Sequence, residues 1–555
     1  MSTNSRGALA PGPTARVAFV GAGPGDVALL TVRATELLAA ADAVVVDSPA
    51  AEDIVRRYAP EGVTLIEMMH GDRCSPLSHA SWAKHVARAA TQVAKAPESN
   101  DTAVTAGESG LLVRLMTGDP TAFQGLAAEL AACHKAGHST EIVPGVSTSA
   151  GVAAYAGIPL TSRDSASVHI VDSAADDADW SGGIAATTTV VVLGDDAGRL
   201  ANGLENLMAA GRSSETPVAL TEHGTTVEQR TTTTTLGEAA ELLRSGGIVP
   251  EVALVGATVP LRDEMSWYET KPLFGWRVLV PRTKDQAGPT VDRLAEFGAR
   301  GETVPTISVE APRTPQQMQR AIKGLVTGRY EWVGFTSVNA VRAVREKLEE
   351  IGLDVRAFAG LKIAAVGGAT ADAIREMGLE PDLLPTGEQS AKGLLEVWPP
   401  YDDVLDPING VFLPRADIAT DTLVAGLQEM GWEVDDVTAY RTVRAAPPAV
   451  EIRDAIKQGS YDAVVFTSSS TVRNLVGIAG KPHPSTVVAC IGPATAKTAE
   501  EHGLVVSVLA AEATGEALVD GLADYGRRLR TAAVEAGEDV QRPSLKRPAG
   551  RRKAR

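Results

Sequence analysis

The chain has 555 residues, of which 44% are hydrophobic, and its formal net charge is −17. This length predicts about three or four domain-sized units with sizeable cores. The negative charge argues against a general nucleic-acid-binding protein. The three cysteines lie far apart in the sequence, which excludes a disulfide framework and a Cys-x-x-Cys metal pair and favours a reducing cytoplasm.

The two ends of the chain differ in composition from the rest. Residues 1–15 are rich in Pro and Gly and predict a disordered leader without the apolar core of a secretory signal. No apolar run is long enough to span a bilayer, so we expect no membrane association. Residues 527–555 carry 10 Lys or Arg and 3 Asp or Glu, and they predict a disordered basic tail. Either a solubilising role or a nucleic-acid contact fits such a tail.

The stretch from Val259 to Ala287 is expected to join two folded units. It concentrates aromatic side chains in a chain that is only 4% aromatic. Because exposed aromatic surface favours burial, we predict an ordered linker rather than a flexible tether. The run WRVLVPRT within it predicts a buried strand that ends at Pro281. The large apolar residues of the stretch are Trp267, Tyr268, Leu273, Phe274 and Trp276.

The first half begins with a strand, a glycine-rich turn, a helix and a second strand. The letters VAFVGAGPGD occupy residues 17–26, and DAVVVD occupies residues 42–47. A dinucleotide site is one interpretation, since Gly21 and Gly23 match the first two glycines of the GxGxxG pattern. Asp26 replaces the third glycine, which normally lets the helix pack closely on the strand. This replacement argues against the dinucleotide interpretation.

Further motifs follow in a fixed order through the first half. With GAGPGD, they resemble the tetrapyrrole methylase class, and most closely uroporphyrinogen-III C-methyltransferase. The resemblance covers about residues 16–270 and implies an α/β fold of two lobes, with S-adenosylmethionine in the cleft between them. The motifs are RLMTGDPTAF at 114–123, VPGVSTSAGVAAYAGIPLTSRD at 143–164, VVVLG at 190–194, TPVALTEHGTTVEQR at 216–230 and PEVALVGATVPLRDEMSWYE at 250–269.

The resemblance also implies which residues hold the cofactor. Small residues let backbone groups approach a ligand closely, and a carboxylate such as that of Asp119 can offset the positive charge of a sulfonium. Either glycine loop alone is more typical of a plain tight turn, but the ordered set of motifs favours the cofactor interpretation. The implied cofactor residues are Pro24, Thr117, Gly118, Asp119, Ala122, Ser147, Thr148, Leu193 and Gly224.

Catalytic residues of the first half are also implied by the resemblance. Asp47 occupies the position of the proton acceptor, whereas Met69 stands where the class has a proton-donating lysine. This departure bears on turnover more than on fold. His134 and His138 have metal-ligand spacing beside Cys133, but no further ligand set accompanies them, so we expect no metal.

The second half repeats itself, which predicts two similar α/β lobes. Equivalent positions in the paired segments are 125 to 133 residues apart. The pairs are VLVPRT at 278–283 with VFLPRA at 411–416, WVGFTSVNAVRAV at 332–344 with AVVFTSSSTVRNL at 463–475, AAVGGATADAIREMGL at 364–379 with ACIGPATAKTAEEHGL at 489–504, and Thr386-Gly387 with Thr514-Gly515.

Each repeated segment places a strand before a small polar turn and a helix. Ligands of doubly wound sheets bind at the carboxyl ends of strands, so the hydroxyl-bearing turns should face one cleft between the lobes. Hydroxyls and helix N-terminal amides suit an anionic ligand, but helix capping alone would also explain each site. The candidate substrate residues are Arg282, Thr336, Ser337, Thr370, Thr467, Ser468, Ser469 and Thr495.

These paired elements, together with VTAYRT at 437–442, resemble uroporphyrinogen-III synthase over a predicted domain of residues 271–526. The resemblance implies that one lobe contains about 276–309 and 443–525, and that the other contains 310–442. It implies cyclisation of hydroxymethylbilane without a cofactor, a positioning task in which the O–H of Tyr440 assists loss of the substrate hydroxyl. An ordinary buried tyrosine is the alternative for Tyr440.

The sequence hypothesis is therefore a fused α/β enzyme of tetrapyrrole synthesis in the cytoplasm. The second half would make uroporphyrinogen III, and the first would methylate it with S-adenosylmethionine towards precorrin-2. A homodimer through the first half is a further expectation, with neither nucleic acid nor membrane as partner. Two alternatives stay open: a synthase with a catalytically weak methylase-like scaffold, and a two-lobed anion-binding sensor without chemistry.

Overall fold

The structure is a computed structural model that describes residues 14–46, 50–67, 78–95, 110–175, 178–194 and 196–546. It divides into two compact units. The first unit ends at Trp276 and also includes residues 295–300, and the second contains residues 277–294 and the chain from Gly301 onward.

The first sheet of the first unit is fully parallel, with strand order β3-β2-β4-β1-β5. β1 and β4 at its centre are almost completely buried, as expected for strands covered by helices on both faces. The elements are β1 (Arg16–Gly21), α1 (Val32–Ala39), β2 (Ala43–Val46), α2 (Ala50–Tyr58), β3 (Thr64–Glu67), α3 (His79–Val93), β4 (Leu111–Met116), α4 (Leu126–Lys135), β5 (Ser139–Val143) and α5 (Thr148–Ala156).

The second sheet of this unit is mixed, with order β6-β7-β10-β8-β9. Only β6 and β7 pair in parallel, and the other neighbours are antiparallel. The β-branched run of threonines forms β9, as its composition predicts. The elements are β6 (Ser167–Asp172), β7 (Thr188–Leu193), α6 (Ala197–Ala209), β8 (Pro217–Glu222), β9 (Arg230–Thr235), α7 (Leu236–Arg244), β10 (Val252–Val255) and α8 (Arg262–Met265).

The first part of the predicted stretch, residues 259–276, is called the linker below. It is ordered, as its aromatic residues predict. Tyr268, Leu273 and Trp276 are buried. The Tyr268 ring lies 5.4 Å from that of Trp267 and 5.3 Å from that of Phe274, both edge to face. Such aromatic pairs add stabilisation beyond the area that they bury.

The second unit contains two sheets of five strands, with orders β12-β11-β18-β19-β20 and β13-β17-β16-β14-β15. The strands are β11 (Arg277–Val280), β12 (Arg300–Thr303), β13 (Ile307–Glu310), β14 (Trp332–Phe335), β15 (Lys362–Ala365), β16 (Gly410–Ala416), β17 (Glu433–Arg444), β18 (Ala463–Phe466), β19 (Val487–Cys490) and β20 (Val506–Leu509). The helices are α9 (Lys284–Glu296), α10 (Pro315–Val326), α11 (Val338–Glu350), α12 (Gly368–Glu376), α13 (Ala391–Val397), α14 (Thr422–Glu429), α15 (Val450–Gln458), α16 (Ser469–Ala479), α17 (Pro493–Glu501) and α18 (Gly515–Glu535).

The two sheets reflect the sequence repeat. In one sheet β11, β18 and β19 are neighbours, and in the other their repeat equivalents β16, β14 and β15 have the same order. All of these neighbouring pairs are parallel. The predicted internal duplication is therefore confirmed.

The lobe limits differ from the prediction by a few residues. β13, expected in the first lobe, pairs antiparallel with β17 in the second sheet, with Val309 opposite Thr442. The chain instead passes from one lobe to the other near Thr306 and returns near Ala445. There the Ala445 amide donates to the Thr306 carbonyl at 3.2 Å. The two segments that connect the lobes pair with each other as β13 and the end of β17, and both belong to the second sheet.

The predicted disordered tail from residue 527 also needs correction. Helix α18 continues through this position to Glu535, and the described chain reaches residue 546. Arginine, leucine and alanine are good helix formers, so the helix extends without a strong apolar pattern. Beyond it, the Ser544 amide donates to Asp462 at 2.9 Å and Pro543 is buried.

Candidate cofactor and substrate sites

Three glycine loops of the first unit meet at one edge of its parallel sheet. They follow β1, β4 and β5, whose carboxyl ends share that edge. A Cβ on Gly21 would lie 2.5 Å from the Cα of Gly145 and 2.7 Å from the carbonyl oxygen of Gly118. Gly118 has φ +70°, a conformation that glycine adopts without strain. The three backbones therefore touch, and only glycine fits at the contact.

Two of these loops are also joined by backbone hydrogen bonds. The Gly118 amide donates to the Gly23 carbonyl at 2.8 Å, and the Gly23 amide donates back at 3.2 Å. The adjacent Pro24 contacts α5, where a Cβ on Gly151 would lie 2.5 Å from its Cγ. The helix that begins at Thr148 thus packs directly against the first loop.

Asp119 acts as a tie between loops. Its Oδ2 accepts a hydrogen bond from the Gly145 amide at 2.9 Å, and its Oδ1 accepts from the Thr121 amide at 2.8 Å and from the Thr121 hydroxyl. Burial opposes the charged form, but these hydrogen bonds outweigh it and lower the pKa of Asp119. The carboxylate was expected to face a sulfonium. In the structure Oδ2 joins its loop to the loop of Gly145, and Oδ1 fixes the turn at Thr121 within its own loop.

The remaining predicted cofactor loops come from the second sheet and reach α5. A Cβ on Gly224 would lie 2.4 Å from Cγ2 of Val152, and Leu193 packs on the cluster that contains Val152. A Cβ on Gly25 would lie 3.1 Å from the Gly224 carbonyl. The loops of both sheets therefore converge around α5.

The predicted cofactor residues differ in how their side chains are used. Thr117 and Ala122 are exposed on either side of the loop that contains Asp119. Ser147 is the N-cap of α5, where its hydroxyl accepts from the Ala150 amide at 3.3 Å. Asp47 and Met69 lie outside the described residues.

Sequence reasoning missed the contact between Asp26 and Thr225, which joins two loops of this region. The Thr225 hydroxyl accepts from the Asp26 amide at 3.0 Å, and the Tyr155 hydroxyl donates to the Asp26 carboxylate at 2.8 Å. Asp26 ends the GAGPGD motif and Thr225 follows Gly224. The motifs marked the position of both, although the contact between them spans 199 residues.

In the second unit, Tyr440 meets one of the predicted substrate residues. Its hydroxyl lies 2.9 Å from Oγ of Ser337, which is also the N-cap of α11 and accepts from the Ala340 amide at 3.1 Å. Tyr440 lines a cavity of about 430 Å³ between β13, α10 and α11, with Asn339 and Arg342 on its wall. The tyrosine is buried in the core, and its hydroxyl contacts a predicted substrate residue.

The other predicted substrate residues follow their strands as the repeat predicts. Thr336 comes directly after β14, and Thr467 directly after β18. Ser468 caps α16 by accepting from the Thr471 amide at 3.3 Å, and the Ser469 hydroxyl donates to the Ala494 carbonyl at 3.0 Å. Helix capping therefore accounts for part of the hydroxyl pattern.

Thr370 and Thr495 are equivalent in the two lobes. Each is the third residue of its helix, α12 or α17, and each is buried, at 6% and 4% exposed. Within the described residues, neither hydroxyl bonds to the protein, and neither oxygen is fully shielded from solvent. The small exposed part of each residue can therefore present a hydroxyl.

Arg282 directly follows the Pro that ends β11. No side chain in the described part of the chain pairs with its guanidinium. It is partly buried, which lowers its pKa. Arginine stays charged under all ordinary conditions, so Arg282 offers a positive charge to an anionic ligand.

The histidines considered for a metal serve structural roles. His134 bonds to the Thr140 hydroxyl at 2.7 Å. His138 Nδ1 accepts from the Ala15 amide at 3.1 Å, and its Nε2 lies 3.0 Å from the Thr91 hydroxyl. Over the described ranges, no group of three or more potential ligands is found. Nor does any described helix have the length and apolarity needed to cross a membrane.

Comparison with known proteins identifies both halves. The family of tetrapyrrole (corrin/porphyrin) methylases matches residues 16–240, and the family of uroporphyrinogen-III synthase HemD matches residues 289–520. The chain thus joins a methylase fold to a synthase fold, and it is a bifunctional enzyme of tetrapyrrole biosynthesis.

Several proteins are similar to this chain, among them the following three. The porphyrin biosynthesis protein HemD of Ruminiclostridium josui is 30% identical over 528 residues, 92% of this chain and 98% of that protein. Siroheme synthase 1 of Yersinia enterocolitica is 34% identical, over 50% of this chain and 54% of that protein. Uroporphyrinogen-III C-methyltransferase of Bacillus subtilis is 29% identical, over 61% of this chain and 67% of that protein. The chain belongs to the family of the porphyrin biosynthesis protein HemD.

Proposed function

We propose that the two units catalyse successive steps. The second unit cyclises hydroxymethylbilane to uroporphyrinogen III, and the first unit methylates that product towards precorrin-2, and hence towards sirohaem or cobalamin. The observation that supports the methylation step most directly is the contact of Gly21, Gly118 and Gly145. Loops that meet backbone to backbone leave a surface of small residues and peptide groups for a ligand.

The residues present fit S-adenosylmethionine, which supplies the methyl group. Pro24, Gly118, Ser147 and Gly224 would surround it, since their loops converge around α5. Asp119 fixes two of these loops, so its contribution to binding is to hold the cradle. Asp47 as proton acceptor stays a prediction, as does the homodimer through this unit, which sedimentation would test.

For the synthase step, the substrate must lose its hydroxyl as water before the ring closes. The Tyr440 O–H would assist this loss, and its hydrogen bond with Ser337 at the carboxyl end of β14 supports that role. A proton given to the departing hydroxyl can be replaced through that contact. Arg282 would bind a substrate carboxylate, and the reaction requires no cofactor in this proposal.

The test is to incubate the full chain with hydroxymethylbilane, with and without S-adenosylmethionine. We expect the type III isomer without the cofactor and a methylated product with it. The type III isomer alone in both reactions would favour a synthase with a weak methylase scaffold. Only the spontaneous type I isomer, with binding of the linear tetrapyrrole, would favour an anion sensor.

A further inference from the structure

The linker packs behind the loops of the proposed cofactor site. The Tyr268 hydroxyl donates to the carbonyl of Thr225 at 3.1 Å, and Nε1 of Trp267 donates to the carbonyl of Ala154 in α5 at 2.9 Å. Tyr268 is 4% exposed. Its hydrogen bond is therefore shielded from water, and a shielded bond is costly to lose.

Thr225 connects the linker to the first glycine loop. Its φ is +67°, an unfavourable backbone conformation for a β-branched residue. Such a conformation persists only when its surroundings hold it. Here the amide of Thr225 donates to Oε1 of Gln229 at 2.7 Å, its carbonyl accepts from Tyr268, and its hydroxyl accepts from the Asp26 amide.

Glu269 strengthens the same connection. Its Oε1 accepts from Nε2 of Gln229 at 2.8 Å and from the Thr231 hydroxyl at 2.7 Å. Its Oε2 accepts from Nη2 of Arg262 at 2.7 Å, and Nη1 of Arg262 donates to the Ala156 carbonyl at the end of α5. The start of the linker therefore holds both the loop after Gly224 and the end of α5.

Asp26 is held from two sides. Its amide donates to Thr225, and its carboxylate accepts from the Tyr155 hydroxyl. The ring of Tyr155 lies 4.5 Å from that of Tyr268. One aromatic pair thus supports both groups that fix Asp26, two residues after Pro24.

We propose that Tyr268 is a positioning residue of the cofactor site, which acts through Thr225 to fix the turn of Gly25 and Asp26. Tyr268 lies beyond the methylase family match, which ends at residue 240, and within the motif at 250–269 that closes the first half. The cofactor part rests on the proposed function, whereas the fixing of the turn does not.

The fixing of the turn is tested without any ligand, by hydrogen–deuterium exchange of the full chain. We expect Tyr268→Phe to speed exchange in peptides that contain Asp26 and residues 223–229. Tyr58→Phe is the matched control, because Tyr58 ends α2 and, among the described residues, no hydrogen bond joins its hydroxyl. Equal exchange in wild type and Tyr268→Phe would overturn the proposal.

The cofactor role is tested by S-adenosylmethionine binding and methylation kinetics of the full chain. Tyr268→Phe should weaken binding about two- to tenfold, the effect of one lost hydrogen bond, and should raise KM more than it lowers kcat. Thr225→Val should do the same and Thr225→Ser should restore binding, because serine keeps the acceptor for Asp26. The synthase rate should not change.

Two further results distinguish the failures. Wild-type affinity in Tyr268→Phe would overturn the cofactor role while leaving the proposed function intact. A wild type that binds no S-adenosylmethionine would overturn the proposed cofactor site and the cofactor role of Tyr268, while the exchange experiment would still decide whether Tyr268 fixes the turn.

Discussion

The two lobes of the synthase unit carry the same Pro-Arg motif, yet the two arginines have different surroundings. The guanidinium of Arg415 bonds to Asp436, donates to the Thr420 carbonyl at 2.6 Å and pairs with Asp421 at 3.1 Å. Arg282 has no such partner among the described residues. The hydrogen bond with Asp436 raises the pKa of Arg415 despite burial, whereas burial lowers the pKa of Arg282.

This difference shows that the two lobes share their strand order but not the contacts of equivalent residues. A charge that is partly removed from water is costly unless it is paired, and no described side chain pairs with Arg282. We therefore propose that Arg282 accepts an anionic group of the substrate. Arg415 is already neutralised and ties β16 to the neighbouring strand β17. Of the two arginines, Arg282 is the candidate for a substrate carboxylate.

The serines that cap the equivalent helices differ in the same way. Ser337 and Ser468 each accept a hydrogen bond from the third residue of the following helix. Only Ser337 also meets Tyr440, whereas the hydroxyl of Ser468 meets Ser470 at 2.8 Å. The phenol proposed for catalysis therefore belongs to one lobe.

The largest expected effect is that of Arg282→Met on synthase activity. A hydrogen bond to a charged group contributes about 1.5–3 kcal/mol, so kcat/KM for hydroxymethylbilane should fall about 10- to 100-fold. Urea unfolding should show equal or slightly greater stability, because the charge that is removed is partly buried and no described side chain pairs with it. Unchanged kcat/KM would remove Arg282 from the substrate site.

Arg415→Met should show the opposite pattern. Loss of its hydrogen bonds should lower the free energy of unfolding by about 1–2 kcal/mol, since Asp436 loses its partner. The urea transition can be followed by fluorescence of Trp332, Trp398 and Trp432, which all lie in the same core cluster. Well below that transition, kcat/KM should stay near the wild-type value. A lower kcat/KM without a lower free energy of unfolding would mean that Arg415, like Arg282, contacts the substrate.

The serine caps give the next contrast. Ser337→Ala and Ser468→Ala should each destabilise the unit by about 1 kcal/mol, the usual effect of losing an N-cap. Only Ser337→Ala should also slow formation of the type III isomer, because it removes the hydrogen-bond partner of Tyr440. An equal kinetic loss in both variants would place both caps at the substrate.

Much of this architecture can be predicted from the sequence. The strands are continuous apolar runs, so the repeat in the second half predicts two similar α/β lobes. The structure adds that their equivalent strands have the same order. The glycine loops of the first half are also predictable, for a steric reason. Glycine where two backbones touch cannot be replaced, and the motif therefore marks the contact of Gly21 with Gly145.

What could not be predicted depends on contacts between distant residues. The Asp119 carboxylate bonds to an amide 26 residues away, and this contact is invisible until the sheet is assembled. The strained backbone of Thr225 is supported by Tyr268, which lies 43 residues further along. The extension of α18 was missed because the sequence there lacks a strong apolar pattern. Residues of high helix propensity continue the helix, and the chain after it is held by the hydrogen bond from Ser544 to Asp462.

The smallest expected effects come from the pair of buried threonines, where the lobes are most alike. Thr370→Val and Thr495→Val keep the side-chain shape and remove only a hydroxyl that bonds to no described protein atom. Stability should therefore change by no more than about 0.5 kcal/mol. If both hydroxyls bind the substrate, kcat/KM should fall about two- to fivefold for each variant, and the serine variants should be close to wild type.

The double variant then tests whether the two equivalent threonines have the same role in substrate binding. Independent contacts with one substrate predict that the two losses multiply, within about 0.5 kcal/mol of additivity. A loss confined to Thr370→Val would assign substrate contact at this position to the lobe that also contains Tyr440. A loss confined to Thr495→Val would assign it to the lobe of Arg282. Full activity in the double variant would mean that neither threonine contacts the substrate. Arg282 and Tyr440, which have no matching contacts in the other lobe, would then remain the candidates for substrate contact.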